Sequence, residues 1–150
     1  MASTLTKILI HITFSTKNRA PSIPEALEPE LSAYVGGICR GLDSALLASG
    51  GTSDHIHLLV NLSKSHSLSE LMLNVKRDSS KWIKEHDPAS RGFAWQDGYF
   101  AFSIGESGVE DLTAYFARQK EHHARVDFKD EMRVLFRKYG VQCDERYVWE

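Results

Sequence analysis

The chain has 150 residues, 42% of them apolar and 25% charged, with a formal net charge of −2. That length suits one domain with a respectable core, and no apolar run is long enough for a membrane span. No basic-plus-apolar leader is present, so a cytoplasmic location is expected. Cys39 and Cys143 stand far apart, which argues against a disulfide framework or a cysteine metal site. The slightly acidic balance weighs against a uniformly basic nucleic-acid binder and leaves local basic clusters as the way to bind one.

Residues 7–15 alternate as a strand, with Ile8, Ile10, Ile12 and Phe14 on one face and Lys7, Leu9, His11 and Thr13 on the other. Ser22-Ile23-Pro24-Glu25 reads as a capping box with proline in the first turn, opening a helix whose apolar stripe is Leu27, Leu31, Tyr34, Val35, Ile38 and Leu42. A short strand over about residues 45–49 follows, and Gly50-Gly51 is expected to turn it into the next strand as a hairpin. That next strand, Asp54-His55-Ile56-His57-Leu58-Leu59-Val60, places His55 and His57 on one face. Ile56, Leu58, Val60 and Leu62 fill the other face, toward a core.

Ser67-Leu68-Ser69-Glu70 is a second capping box. Leu68, Leu71, Met72, Val75, Ser79, Trp82 and Ile83 run behind it at helical spacing, as far as Asp87-Pro88. Residues 93–98 read as irregular and aromatic, and 99–104 as a strand. Ser107-Gly108-Val109-Glu110 is a third capping box, opening the helix that carries Tyr115. A last helix spans about residues 128–139 and stops at Gly140, and 145–149 are expected to be extended. The order strand, helix, strand, strand, helix, strand is that of an α+β, ferredoxin-like βαββαβ sandwich, here with an added C-terminal helical segment. No repeat or linker divides the chain, so residues 1–150 read as one domain.

Neutral imidazole is a common ligand for divalent metals, so His55 and His57 could clamp one cation. Alone, the pair is equally compatible with rings that hydrogen-bond on a polar sheet face. Tyr115 and Gln119 are four apart and share a helix face, with His122 and His123 one turn further on. A phenol ionises near pH 10 and needs help to attack a phosphate. A cation that withdraws charge from phosphorus supplies such help, and the Gln119 amide oxygen could be a third, neutral ligand. Asp54 could orient one of the histidines, or simply close a turn. His11 could share the face of the pair in a structural role.

These residues carry a resemblance. Asp54-His55-Ile56-His57-Leu58-Leu59-Val60 resembles the HUH motif (histidine, hydrophobic, histidine) of single-tyrosine transposases, and Tyr115 with Gln119 resembles the helical tyrosine–glutamine motif of the same proteins. The small transposases of the insertion-sequence-200 type (200/605) also resemble this chain at Phe14-Ser15-Thr16-Lys17-Asn18-Arg19, at residues 93–99, at Glu121-His122-His123 and at residues 144–149. The likeness covers nearly the whole chain in order. Phe100 departs from it, because many relatives have glycine there.

The resemblance implies a transposase that cuts and rejoins single-stranded DNA at hairpin-marked ends through a 5′-phosphotyrosine. It implies Tyr115 as nucleophile, His55, His57 and Gln119 as ligands, and magnesium or manganese as the cation. It also implies a homodimer in which a tyrosine helix can complete the neighbouring subunit's site. Two other readings stay open, a domesticated relative that processes repeated hairpins and a catalytically idle ferredoxin-like nucleic-acid-binding module. Candidate phosphate contacts are Lys17 and Arg19 after the first strand, the ridge of Lys76, Arg77, Lys81 and Lys84, and Arg118 with Lys120 beside the tyrosine motif. Trp95, Tyr99 and Phe100 could stack on unpaired bases.

Overall fold

The computed structural model describes residues 2–150. Four strands, β1 (Leu9–Ser15), β2 (Ala45–Gly51), β3 (His55–Asn61) and β4 (Phe100–Ile104), form one sheet in the order β2-β3-β1-β4. Every neighbouring pair is antiparallel. This is the order expected for a split βαβ unit.

Two helices, α1 (Glu28–Gly41) and α2 (Leu68–His86), cover one face of the sheet. Ile12, Phe14, Ile56, Leu58 and Val60 from the strands pack there against Leu31, Val35, Leu71, Met72, Val75 and Ile83. The alternation of β1 and β3 sends the complementary residues the other way. That second face is also covered. Leu9 and Leu59 meet Leu112 and Phe116 of α3 (Val109–Ala117). Phe102 meets Phe128, Met132, Leu135 and Phe136 of α5 (Phe128–Tyr139). Between them a short α4 (Gln119–His123) crosses the end of the sheet. His11, His55 and His57 therefore lie in a closed interlayer rather than on a solvated sheet face, each with 0% of its surface exposed.

Local signals at several helix ends act as the spacing predicts. The Ser67 side chain accepts from the Glu70 N–H, and Asp87 stops α2 before Pro88. α5 starts on Asp127, whose carboxylate accepts from the Asp130 N–H, and ends on Gly140 in the left-handed region at φ 68°.

Elsewhere the structure corrects the reading. Neither Ser22 nor Ser107 caps a helix. The chain enters α1 through a 3-10 turn at Glu25–Leu27, and α3 through one at Glu106–Gly108. The apolar stripe of α1 includes Cys39, fully buried, while Tyr34 sits at the surface stacked on Trp82. Burial pushes the Cys39 thiol up to about 11, so it packs as a small neutral group. The tail residues 145–149 form turns rather than an extended segment, because Trp149 folds back against Phe100 and Phe136.

The Gly50-Gly51 pair is not the hairpin turn. Both residues are within β2, and the turn is made by Thr52, Ser53 and Asp54. The glycines are there for close approach. A Cβ on Gly50 would lie 2.3 Å from the Phe116 carbonyl oxygen, so only glycine lets α3 rest on β2. Gly50→Ala is expected to push α3 off the sheet and to cost about 1–3 kcal/mol by overpacking. Thermal melts would measure that loss, and an unchanged melting temperature would refute the close-packing account.

Candidate active site

β3 delivers His55 and His57, α3 delivers Tyr115, α4 delivers Gln119 and His123, and α5 delivers Glu131. The spacing of Tyr115 and Gln119 predicts one continuous helix. The structure breaks it at Arg118, whose φ of −102° and ψ of 13° end α3 and start α4. Both side chains still converge, because each bonds to the same oxygen of Glu131. The Tyr115 hydroxyl donates to Glu131 Oε2, and Gln119 Nε2 donates to it at 3.0 Å.

The other carboxylate oxygen faces the imidazoles. Glu131 Oε1 lies 3.5 Å from His55 Nε2, 3.1 Å from His57 Nε2 and 3.0 Å from His123 Nε2. Gln119 Oε1 lies 2.9 Å from the same His55 Nε2 on the opposite side. Glu131 is 2% exposed and is the centre of the cluster. Sequence reasoning missed it, although a signal was available. Phe128, Met132, Leu135 and Phe136 form the buried stripe of α5, and Glu131 is the one carboxylate inside that stripe.

Neighbours orient the rings. His55 Nδ1 donates to Asp54 Oδ1 at 2.7 Å, so Asp54 touches the ring and Nε2 turns to the cluster. His57 Nδ1 and His11 Nε2 share a hydrogen bond of 2.8 Å, which turns His57 Nε2 the same way. His122 lies at the rim, with its ring 5.7 Å from that of Tyr115. Tyr115 and both histidines of β3 belong to one chain, and the Tyr115 ring is 5.8 Å from the His57 ring. The tyrosine thus meets the histidines within its own chain.

Electrostatics follow from this burial. Burial alone would push the Glu131 carboxyl up, but the imidazoles of His123, His57 and His55 hold it well below the usual range. Burial, then the Glu131 charge, pushes the Tyr115 phenol well above its ordinary value. Burial and the neighbouring His57 lower His11 to about 3, and burial also lowers His57 against the pull of Glu131. The sign for stability is the same throughout. Below pH 6.5 an unfolded His11 takes a proton that the folded one refuses until about pH 3. Glu131, with its carboxyl depressed, adds stability that disappears as pH falls further. The cation-free protein is therefore expected to lose stability as pH drops from 6.5 toward 3, by up to about 1.4 kcal/mol per pH unit from His11, with Glu131 adding to the slope only below its ordinary value of 4.5. Denaturant melts at pH 7, 5 and 4 would give that slope, and a flat profile would contradict it.

The donor set fits a divalent cation. One donor atom from each of His55, His57, His123 and Glu131 lies within 4.8 Å of the others. The His123 Nε2 is enclosed yet finds no hydrogen-bond partner, although a carboxylate oxygen is close. Two lone-pair donors that face one another in this way suit a shared positive ion.

The structure sorts the basic candidates. Lys17 and Arg19 leave β1 at the end of the sheet where β3 begins, since the Thr16 N–H donates to the Asp54 carbonyl at 2.8 Å. Lys17 is exposed, and Arg19 reaches the Trp149 carbonyl. The α2 ridge is on the opposite side of the sheet from the histidines. Lys76 does not belong to a solvated ridge, because its ammonium ties down the carbonyls of Gln96, Asp97 and Gly98. Arg77 is engaged by Asp78 and Asn74, while Lys81 and Lys84 are exposed. Lys120 pairs with Glu25 and Glu28. Arg118 and Lys138 line a cleft of about 430 Å³ that also reaches Tyr115. Trp95 is buried and donates to Ser79, and Tyr99 and Phe100 pack against the two cores.

Comparison with known proteins adds family and fold. The family model described as IS200-like transposase matches residues 4–119. A crystal structure of a protein from Deinococcus radiodurans R1, assigned as a transposase, superposes with a TM-score of 0.62 at 18% identity. The match covers 79% of this chain and 95% of that one. A REP-associated tyrosine transposase bound to a REP hairpin superposes with a TM-score of 0.58 at 14% identity, over 84% of this chain and 74% of that one. No curated protein matches the chain. His123 and Glu131 both fall beyond the stretch that the family model matches. Among the described residues, no helix is long and apolar enough to cross a membrane.

Proposed function

Since the chain belongs to the IS200-like transposase family, we propose that it cuts and rejoins single-stranded DNA with Tyr115 as nucleophile and a divalent cation, magnesium or manganese, at His55 and His57. Gln119 stands beside them as a further donor. The observation that carries this reading is the single buried carboxylate, Glu131, shared by the tyrosine hydroxyl and the imidazoles. A nucleophile and a cation-binding group then work within one hydrogen-bonded cluster.

The chain's own residues divide the work. Glu131 Oε2 holds the Tyr115 hydroxyl and is the nearest acceptor for its proton as the new oxygen–phosphorus bond forms. The phosphodiester bond to the 3′-oxygen breaks, that oxygen leaves as a 3′-hydroxyl after taking a proton, and the 5′-phosphate stays on Tyr115. A hydroxyl attacking the phosphotyrosine reverses these changes and rejoins DNA. A bound cation draws electron density from the scissile phosphate and steadies the leaving oxygen. Asp54 and His11 keep the rings turned inward. Arg118 and Lys138 offer charge to the strand in the cleft beside Tyr115, with Lys17 and Arg19 as further phosphate contacts.

A relative solved with a REP hairpin supports hairpin-marked DNA as the substrate. It also favours a second reading, in which dispersed genomic hairpins are processed and no element moves. The proposal takes residues 1–150 as one catalytic unit, acting in the cytoplasm. The test is to incubate the protein with single-stranded DNA from its own genomic flanks plus magnesium or manganese. A covalent adduct on a denaturing gel, absent with a chelator, is expected. No adduct with either metal would overturn the reading.

A homodimer is part of the proposal, and the geometry within one chain sharpens it. Tyr115→Phe mixed with His55→Ala subunits is expected to regain cleavage where the tyrosine helix completes the neighbouring subunit's site, and to stay inactive where each site is built within one chain. Restored cleavage would mean that subunits exchange their tyrosine helices.

A further inference from the structure

His123 and Glu131 belong neither to the histidine pair of β3 nor to the tyrosine–glutamine pair, yet they close the ring. We propose that both are direct donors to the cation, forming a three-imidazole, one-carboxylate site that prefers first-row transition ions such as Mn²⁺ and Co²⁺ to Mg²⁺. This rests on the reading that His55 and His57 hold a divalent cation.

Several independent features carry the proposal. The four donor atoms lie within 4.8 Å of one another, so one ion can reach them all with small side-chain shifts. Glu131 divides its two oxygens. Oε2 is taken by Tyr115 and Gln119, whereas Oε1 is turned to three Nε2 atoms at 3.0–3.5 Å. The His123 side chain is 9% exposed, and its enclosed Nε2 lies 3.0 Å from Oε1 without an aligned hydrogen bond. An orphaned imidazole nitrogen is costly unless something else satisfies it, and a cation would. His55, His57 and Glu131 are buried and only His123 is partly exposed, which leaves little room for the water shell that Mg²⁺ prefers to keep. Three nitrogen donors favour the transition series, where imidazole binds well.

The arrangement also gives Glu131 a linking position. It touches the cation through one oxygen and the nucleophile through the other, so ion occupancy and the setting of the Tyr115 hydroxyl are connected through one side chain.

The unmutated full-length protein loaded with Mn²⁺ allows a first test without any substitution. Pulsed electron paramagnetic resonance counts the imidazole nitrogens coupled to the ion. Three support the proposal, and two overturn it. Calorimetric titration with Mn²⁺ then compares variants that circular dichroism has found folded. Glu131→Gln and His123→Ala are each expected to weaken binding by about tenfold to a hundredfold or more. If both bind like the parent while His57→Ala does not bind, the histidine-pair reading stands and this proposal falls. If His57→Ala also binds like the parent, the underlying reading falls too. Competition is expected to need at least about a hundredfold excess of Mg²⁺, and equal affinity for the two ions would overturn the stated preference.

Discussion

Replacing Tyr115 with phenylalanine is expected to abolish covalent capture of DNA, a drop of roughly ten-thousandfold or more. The substitution removes one oxygen and leaves the ring against His57 and Phe116. Glu131 Oε2 then keeps only Gln119 as donor, which is expected to cost about 1–2 kcal/mol of stability. The two effects separate in one experiment. A denaturing gel reads the adduct, and a melt reads the fold. Hairpin binding in a native gel is expected to survive, because the phosphate-contacting cations are untouched. An adduct that persists in the variant would remove Tyr115 from its role.

The second large effect is at His57. His57→Ala takes away a fully buried ring that meets His11, Glu131 and Phe116 at once. Cleavage is expected to fall to background while the DNA hairpin still binds. The fold loses about 2–4 kcal/mol from the cavity and from the unpaired groups left behind. Parallel cleavage and gel-shift assays on the same sample check this. Cleavage that continues at the parent rate would mean that His57 contributes packing and no cation.

Much of the architecture was legible because it depends on local periodicity. The alternation in β3 puts Ile56, Leu58 and Val60 into one core and the two histidines on the other side. Ser67, Asp87 and Gly140 act at helix ends where the sequence places them. What escaped the sequence depends on contacts distant along the chain. The meaning of Gly50 comes from the backbone of Phe116, and a pair of glycines reads equally well as a turn. Lys76 looks like one of several exposed cations, yet the fold of residues 96–98 captures it. The half of the candidate site on β3 and α3 could be read from spacing. The other half could not, because Glu131 is 16 residues from Tyr115 and 74 from His57. Its position in an apolar stripe was the available sign, and it has meaning only once α5 is known to pack on the histidine face.

The break at Arg118 has a consequence for how the chemistry can proceed. A continuous helix would make Tyr115 and Gln119 parts of one rod, so carrying the tyrosine anywhere would drag the cluster apart. Two helices joined at a single non-helical residue instead form a joint with two arms. The arm of α3 holds the atom that becomes bonded to DNA, and the arm of α4 holds Gln119 and His123 against His55. Each arm is thus seated by its own contacts, α3 by Leu112 and Phe116 on the sheet and α4 by Gln119 and His123 on His55, and the break at Arg118 lets both sets be met at once.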